Sequence, residues 1–442
     1  MTKKSILAII FAAVLVFSLF SCSDGSEDGG DNYNGKVVTL NVYNWGEYIS
    51  DGFEGALDSN AAFEEYFNTT LAEKYGFRIE VNYTTYATNE DMYSKIKNGG
   101  GSFDVIVPSD YMIEKMINED MLLEFNPEEL PNFVNIDDAF KGANAVYDPG
   151  NRHSVPYTYG MLGVIYNKAL VDKEDYADES WALLWNEKYK GKILQFNNPR
   201  DAFGSAMYFL NLDINSKSLD VWTAARDKLA EQKPLVQGYV NDEIFNKMTT
   251  ASAAVAPYFA GDFLTMASQN EDLSFYYPKE GTNYFVDAMC IPKTAKNPDI
   301  AKEYINFMLS EEAAVANALY VGYASPNKVV VESEDYREGM AELHEDWYGI
   351  LYGVSPAEAN VNYSYSPIYQ SFTPEIQSHV NTLWESLKTE NSTELWVHIT
   401  SITIIVAVVA LASYSVFIKK KRSRHYRMRD REIAKARVAL KK

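Results

Sequence analysis

The sequence predicts an α/β fold of two lobes with a hinge and a cleft between them, followed by one C-terminal transmembrane helix. Three observations lead there. Strand-like and helix-like stretches alternate through the first third of the chain, the pattern of a parallel sheet covered by helices. A second such set follows a Pro/Asn/Asp-rich connection at 126–150. About 360 residues lie between two apolar ends, enough for two cores.

Taken in order, a first buried strand begins near Lys36 and runs into Leu40-Asn41-Val42-Tyr43. It ends in a turn, Asn44-Trp45-Gly46-Glu47-Tyr48, that presents two aromatic rings. The carboxyl end of such a strand commonly faces a ligand crevice, and aromatic faces there suit a cation. Helical spacing of Phe63, Tyr66, Phe67 and Leu71 predicts a helix over 61–75, stopped by Gly76. Arg78 to Tyr83 alternates as a strand, Asn89 can cap a helix reaching Lys97, and Phe103 to Pro108 reads as a third strand. Ser109 and Asp110 open the next helix. His153 to Tyr166 is β-rich and is a place for the chain to cross into a second lobe. Trp181 to Tyr189 reads as a helix and Lys192 to Phe196 as a strand. Asn197 to Asp201 carries a cap and a Pro at a helix start. Helices follow near 219–231 and 242–250, then a strand at 251–258 and a helix opened by Asp262. Tyr284 to Ile291 is a strand that leads back to the first lobe. Two helices follow, from Pro298 to Leu309 and from Ser310 to near Gly322.

The ends read as targeting segments. Lys3-Lys4, an apolar run from Ile6 to Phe20 and Ser21-Cys22 make a signal peptide over 1–22, with Cys22 as the lipidated residue of a lipobox-like Leu19-Phe20-Ser21-Cys22. Residues 23–35 are a Gly/Asp/Ser-rich tether. Residues 395–418 carry no charge beyond His398 and are long enough to span a bilayer. The segment 419–442 holds 12 Lys/Arg against two acids, which predicts a cytoplasmic tail and an outer body. The whole chain has 40 basic and 61 acidic residues, a net charge of −21, and without the basic tail the balance is 28 against 59, a net of −31. That balance repels nucleic acid and attracts cations. Two Cys exclude a disulfide framework. The five His show no metal spacing, and no nucleophile elbow or phosphate loop is present, so neither enzyme nor metal site nor cofactor is expected.

Several blocks resemble, in order, the spermidine/putrescine-binding proteins of polyamine ABC importers. They are Tyr43 to Tyr48, Tyr83 to Tyr93, Val105 to Tyr111, Ser154 to Tyr157, Ser180-Trp181 with Trp185, Tyr189-Lys190-Gly191 and Gly322 to Asn327. The resemblance covers roughly 37–327 and implies the type II periplasmic-binding-protein fold. It divides the chain into a first lobe of 36–155 with 286–328 and a second of 156–285 with 329–390. It implies a receptor that holds putrescine or spermidine between closing lobes and delivers it to an ABC permease at the membrane.

Carried over by position, the resemblance implies ligand contacts at Trp45, Tyr48, Ser109, Tyr111, Asn198, Asp201, Tyr258, Phe285, Asp287 and Tyr323. Carboxylates at Asp201 and Asp287 would hold ammonium groups, with aromatic walls along the methylenes. Asn198 and Ser109 also suit helix caps, Asp201 suits a helix N-terminus, and Arg200 suits a structural ion pair. Asn198 stands where the family has Asp, and Tyr258 and Phe285 stand where it often has Trp. Less charge and less aromatic surface imply a shift toward putrescine, or weaker spermidine binding. The alternatives are a polyamine-sensing ectodomain and a type II receptor for another small ligand.

Overall fold

The computed structural model describes residues 35–389, 403–410 and 414. Its strands are β1 (Val37–Trp45), β2 (Arg78–Tyr86), β3 (Val105–Ile106), β4 (Ser154–Asn167), β5 (Ile193–Phe196), β6 (Val236–Val240), β7 (Val255–Phe259), β8 (Leu273–Tyr276) and β9 (Tyr284–Cys290). They hydrogen-bond in the order β2-β1-β3-β9-β4-β7-β5-β6, with β8 also on β4. Helices covering them include α1 (Ser59–Tyr66), α2 (Asn89–Lys97), α3 (Asp110–Asn118), α4 (Pro199–Phe209), α5 (Leu219–Gln232), α6 (Ala260–Gln269), α7 (Pro298–Met308), α8 (Glu311–Val321) and α9 (Pro374–Thr389).

Alternation explains the layers at the β1 end. Leu40, Val42, Val105, Val107, Met289 and Ile291 enter one core with Phe63, Phe67 and Tyr304. Their neighbours Tyr43, Ile106, Val286, Ala288 and Cys290 enter another with Met92, Ile113 and Met116. Successive strand side chains point to opposite faces, so a sheet apolar at consecutive positions is covered on both. The β5–β7 end has its own large core, in which Trp181 and Trp222 are fully buried and α9 contributes Val380, Leu383 and Trp384.

β4 joins the two ends. Its first half pairs with β9, from Ser154↔Cys290 to Met161↔Tyr284. Its second half pairs with β7 from Leu162↔Phe259 to Tyr166↔Val255. Pro156 lacks an N–H, and the register shifts between Pro156 and Thr158. That bulge brings Thr158 opposite Asp287.

Local reading missed some details. The helix expected over 61–75 begins at Ser59 and is broken by a π turn at Phe67–Leu71, which keeps both Phe63 and Phe67 inward. Trp181 to Tyr189 forms two short 3-10 turns, not one helix. β6 and β8 were not expected; neither has an uninterrupted apolar alternation. The signal peptide, lipidated Cys22, most of the tether and the tail at 419–442 lie outside the described residues. So does most of the expected transmembrane helix at 395–418; residues 403–410 are helical with exposed side chains. Among the described residues no helix is long and apolar enough to cross a membrane.

One buried carboxylate fixes the strand that leads into α3. Asp104 is fully buried and accepts from Asn41 N (2.9 Å), Lys296 N (2.9 Å), Asn297 N (2.8 Å) and Asn297 Nδ2 (3.3 Å). Asp104→Asn replaces one acceptor oxygen with an NH2 donor that faces N–H donors. We expect a loss of about 3 kcal/mol, since buried donors left unpaired cost about 1–3 kcal/mol each. A urea midpoint equal to that of the parent chain would contradict it.

Candidate functional site

The site starts where β4 crosses β9. Asp287 is buried, and its Oδ2 accepts from Tyr48 Oη at 2.6 Å. Tyr48 Oη also lies 2.7 Å from Thr158 Oγ1. The phenol has one proton, which goes to the carboxylate, so Thr158 donates to Tyr48. Asp287 Oδ1 is buried and accepts no hydrogen bond. Burial raises the Asp287 carboxyl to about 6; the neighbouring Ser109 hydroxyl and the Tyr48 bond temper the rise. Ser109 is bridged to Asp287 through the backbone, but its hydroxyl does not reach Oδ1 in bonding geometry. Burial, and then the Asp287 charge, push the Tyr48 phenol well above its ordinary value, so it stays a donor.

The turn after β1 delivers Tyr48. Asn44 is buried; its Oδ1 accepts from Trp45 N (2.8 Å), and its Nδ2 donates to Tyr48 O (3.4 Å). Glu47 takes a left-handed φ of 51°, which closes the turn at some cost for a non-glycine residue. Its carboxylate accepts from Tyr320 Oη at 2.6 Å. Trp45 is half-buried, donates from Nε1 to Val107 O at 2.8 Å and packs on Tyr86 at 4.7 Å. Glu47, Tyr48, Tyr83 and Tyr320 also line an acidic concavity of about 500 Å³ beside this turn.

Ser109 occupies the cap position of α3 without capping it. Its hydroxyl accepts from Asn89 Nδ2 (3.0 Å), which also reaches Tyr111 Oη (3.1 Å). Tyr111 Oη donates to Glu90 (3.1 Å). On the aromatic side, Tyr48 meets Tyr323 edge-on at 5.7 Å, Tyr323 meets Phe285 at 5.9 Å, and Phe285 meets Phe259 at 5.3 Å. Tyr258 stacks on Phe196 (5.5 Å) within the β5–β7 core, and it is Phe259 that continues the wall.

Asn198 and Asp201 form a reciprocal cap on α4. Asp201 N donates to Asn198 Oδ1 (2.9 Å), and Asn198 Nδ2 donates to Asp201 Oδ2 (2.9 Å). Burial raises Asp201 to about 6, against the Asn198 hydrogen bond. Among the described residues Arg200 makes no ion pair of the kind its position suggested. It donates to Gln370 O, and its guanidinium sits over Phe372 (3.7 Å), Tyr369 (4.5 Å) and Tyr111 (4.8 Å).

The extracellular solute-binding protein model of bacteria matches residues 61–342. The chain belongs to the bacterial extracellular solute-binding protein family. It is 31% identical over 290 residues to the spermidine/putrescine-binding periplasmic protein of Escherichia coli, covering 65% of this chain and 78% of that one. It is 28% identical over 328 residues to spermidine/putrescine-binding periplasmic protein 1 of Haemophilus influenzae, covering 73% and 86%. Among solved structures it resembles the spermidine/putrescine ABC transporter substrate-binding protein PotD of Streptococcus pneumoniae, with a TM-score of 0.60, 34% identity and coverage of 79% and 98%. The α/β periplasmic-binding-protein fold expected from the motifs is therefore the fold of this family member.

Sequence reasoning missed Thr158, Asn89, Phe259 and Asp262 at this site. Asp262, in the first turn of α6, accepts from Tyr323 Oη at 2.6 Å, and burial lifts its carboxyl to about 7. Its signal was present in Phe259-Ala260-Gly261-Asp262. Gly261 has no Cβ because one would lie 2.0 Å from Tyr323 Cδ1 and 2.9 Å from Gly322 O. Gly261→Ala is expected to push the Tyr323 ring off the wall, at about 1–3 kcal/mol of stability as for other overpacked sites. A melting temperature unchanged from the parent would show that the ring is not seated there.

Proposed function

We propose that this chain captures a short polyamine between two lobes and delivers it to the permease of an ABC importer. Residues 36–155 with 286–328 are read as the first lobe and 156–285 with 329–390 as the second. The observation that carries the reading is Asp287. A buried carboxylate with one oxygen unbonded, flanked by Tyr48, Tyr323 and Phe285, is matched by an ammonium on an alkyl stem. The spermidine/putrescine binding named for the relatives supports the same ligand class.

Asp287 is assigned the first ammonium. Asp201 and Asp262 are the carboxylates for the second, with Trp45, Tyr48, Phe285 and Tyr323 along the stem and Ser109 and Tyr111 at the rim. Tyr258 supports Phe259 from behind. Asn198 is assigned to holding Asp201 in place; it adds no charge, and so the site favours putrescine over spermidine. Cys22 is read as a lipid anchor and 395–418 as a membrane span, with the 419–442 tail inside and the lobes outside.

Asp287→Asn should weaken putrescine binding by 2 kcal/mol or more, about thirtyfold, because an ammonium would be buried without its counter-charge. Isothermal calorimetry checks this, and undiminished affinity would refute the site. The same titrations should rank putrescine above spermidine; spermidine binding tenfold tighter overturns that preference.

A pH effect follows from Asp287, Asp201 and Asp262. Their folded values of about 6, 6 and 7 exceed the ordinary carboxyl value of 3.8. The ligand-free protein therefore binds more protons than its unfolded chain between about pH 4 and 7, and these groups make it less stable as pH rises through that window. A bound cation favours the ionised carboxylates and offsets that loss. The rise in melting temperature given by saturating putrescine should grow from pH 5 to pH 7.5. A constant or shrinking rise would exclude these carboxylates as the ligands.

A further inference from the structure

Beyond the cleft, the chain segment before α9 ties α4 and the start of β9 to α3. Pro367 O accepts from Tyr208 Oη (3.1 Å), Asn283 Nδ2 (3.0 Å) and Tyr284 N (3.2 Å). Asn215 holds it through Ile368 O (2.8 Å) and Gln370 N (2.8 Å), and Arg200 donates to Gln370 O. The segment is thus fastened to α4 and to the loop after it. It then reaches across to α3. Ser371 N donates to Glu114 Oε2 at 2.6 Å, and Tyr369 meets the Tyr111 ring at 6.4 Å.

We propose that Glu114 is a positioning residue that latches the rim of the cleft. It acts through Ser371, with the Arg200 guanidinium seated on Tyr111 as the second point of the latch. No chain crosses between the lobes at this point. The contact is one carboxylate on one N–H plus ring contacts, so it parts without rearranging either core, unlike the β4 and β9 crossings. Arg200 reinforces it. The residue is 93% buried, its Nε has no hydrogen-bond partner, and three rings form its surroundings. Of those rings, Tyr111 comes from α3 and the other two from the segment. Opening the rim removes one wall of that box and leaves Glu114 to water. A charge-assisted hydrogen bond to a backbone N–H is among the stronger single contacts available to such a latch.

The kinetic test rests on the polyamine reading; a second arm does not. In the full chain, Glu114→Ala should raise the putrescine dissociation rate about tenfold and leave the association rate within twofold. Glu114→Gln, which keeps an acceptor for Ser371 N, should recover most of the loss. In ligand-free protein, small-angle scattering should give a larger radius of gyration for Glu114→Ala than for the parent. If both measurements match the parent, or if Glu114→Ala lowers only the melting temperature, the latch is refuted. If putrescine does not bind the parent chain at all, the polyamine reading fails and the scattering comparison still decides the latch.

Discussion

The hydrogen bond between Tyr48 and Asp287 is the contact on which the site's geometry depends. It joins the turn after β1 to β9, and through Thr158 it includes β4, the strand shared by both halves of the sheet. Three elements far apart in sequence meet at one phenol oxygen. Each has its own reason to be there: Glu47 adopts a left-handed turn, Pro156 forces a register shift, and β9 returns antiparallel beside β3. Because Tyr48 must donate, Asp287 keeps one oxygen satisfied from within and one buried without a hydrogen bond.

That half-satisfaction explains the electrostatics. A carboxylate with all its hydrogen bonds supplied internally has little left to offer a ligand. Asp104, with its four internal donors, is of that kind and serves the fold. Asp287 has two neighbours that favour its charge and a larger desolvation that opposes it, and the balance is a carboxyl near 6. The energy stored by burying a poorly paired acid is what a cation recovers on binding. Aromatic rings around it keep the local dielectric low and so strengthen the attraction.

Much of this was legible in the chain. The β1 turn, the alternation of the central strands, the cap at Asn198 and the return of β9 all rest on local patterns that tertiary packing left intact, whereas the cap read at Asn89 is made by Thr88, one residue earlier. The aromatic wall was legible only to within one residue. Tyr258 and Phe259 are adjacent rings at the end of β7, and which of them reaches Phe285 depends on how α6 approaches, which no local pattern encodes. Thr158 was hidden because its role arises from a bulge. Asp262 was read as a helix opener, which it is; its second role comes from Tyr323, sixty-one residues away. Arg200 suited a structural ion pair, and among the described residues an aromatic box takes that partner's place.

The acids around the cleft divide by where they sit. Asp110, Asp201 and Asp262 lie in the first turns of α3, α4 and α6. There the helix N-terminus favours a negative charge. Each also has an internal donor: Tyr111 N and Val286 N for Asp110, Asn198 for Asp201, Tyr323 for Asp262. Asp287 sits on a strand, where no such dipole acts, and retains an oxygen with no donor. On the proposed reading, the site offers a ligand one oxygen that accepts no hydrogen bond, beside the Ser109 hydroxyl, plus acids already partly met at helix ends. The proposed ligand, with one ammonium held strongly and a second more loosely across an apolar stem, suits that distribution, in which a third cationic centre would find little to bind.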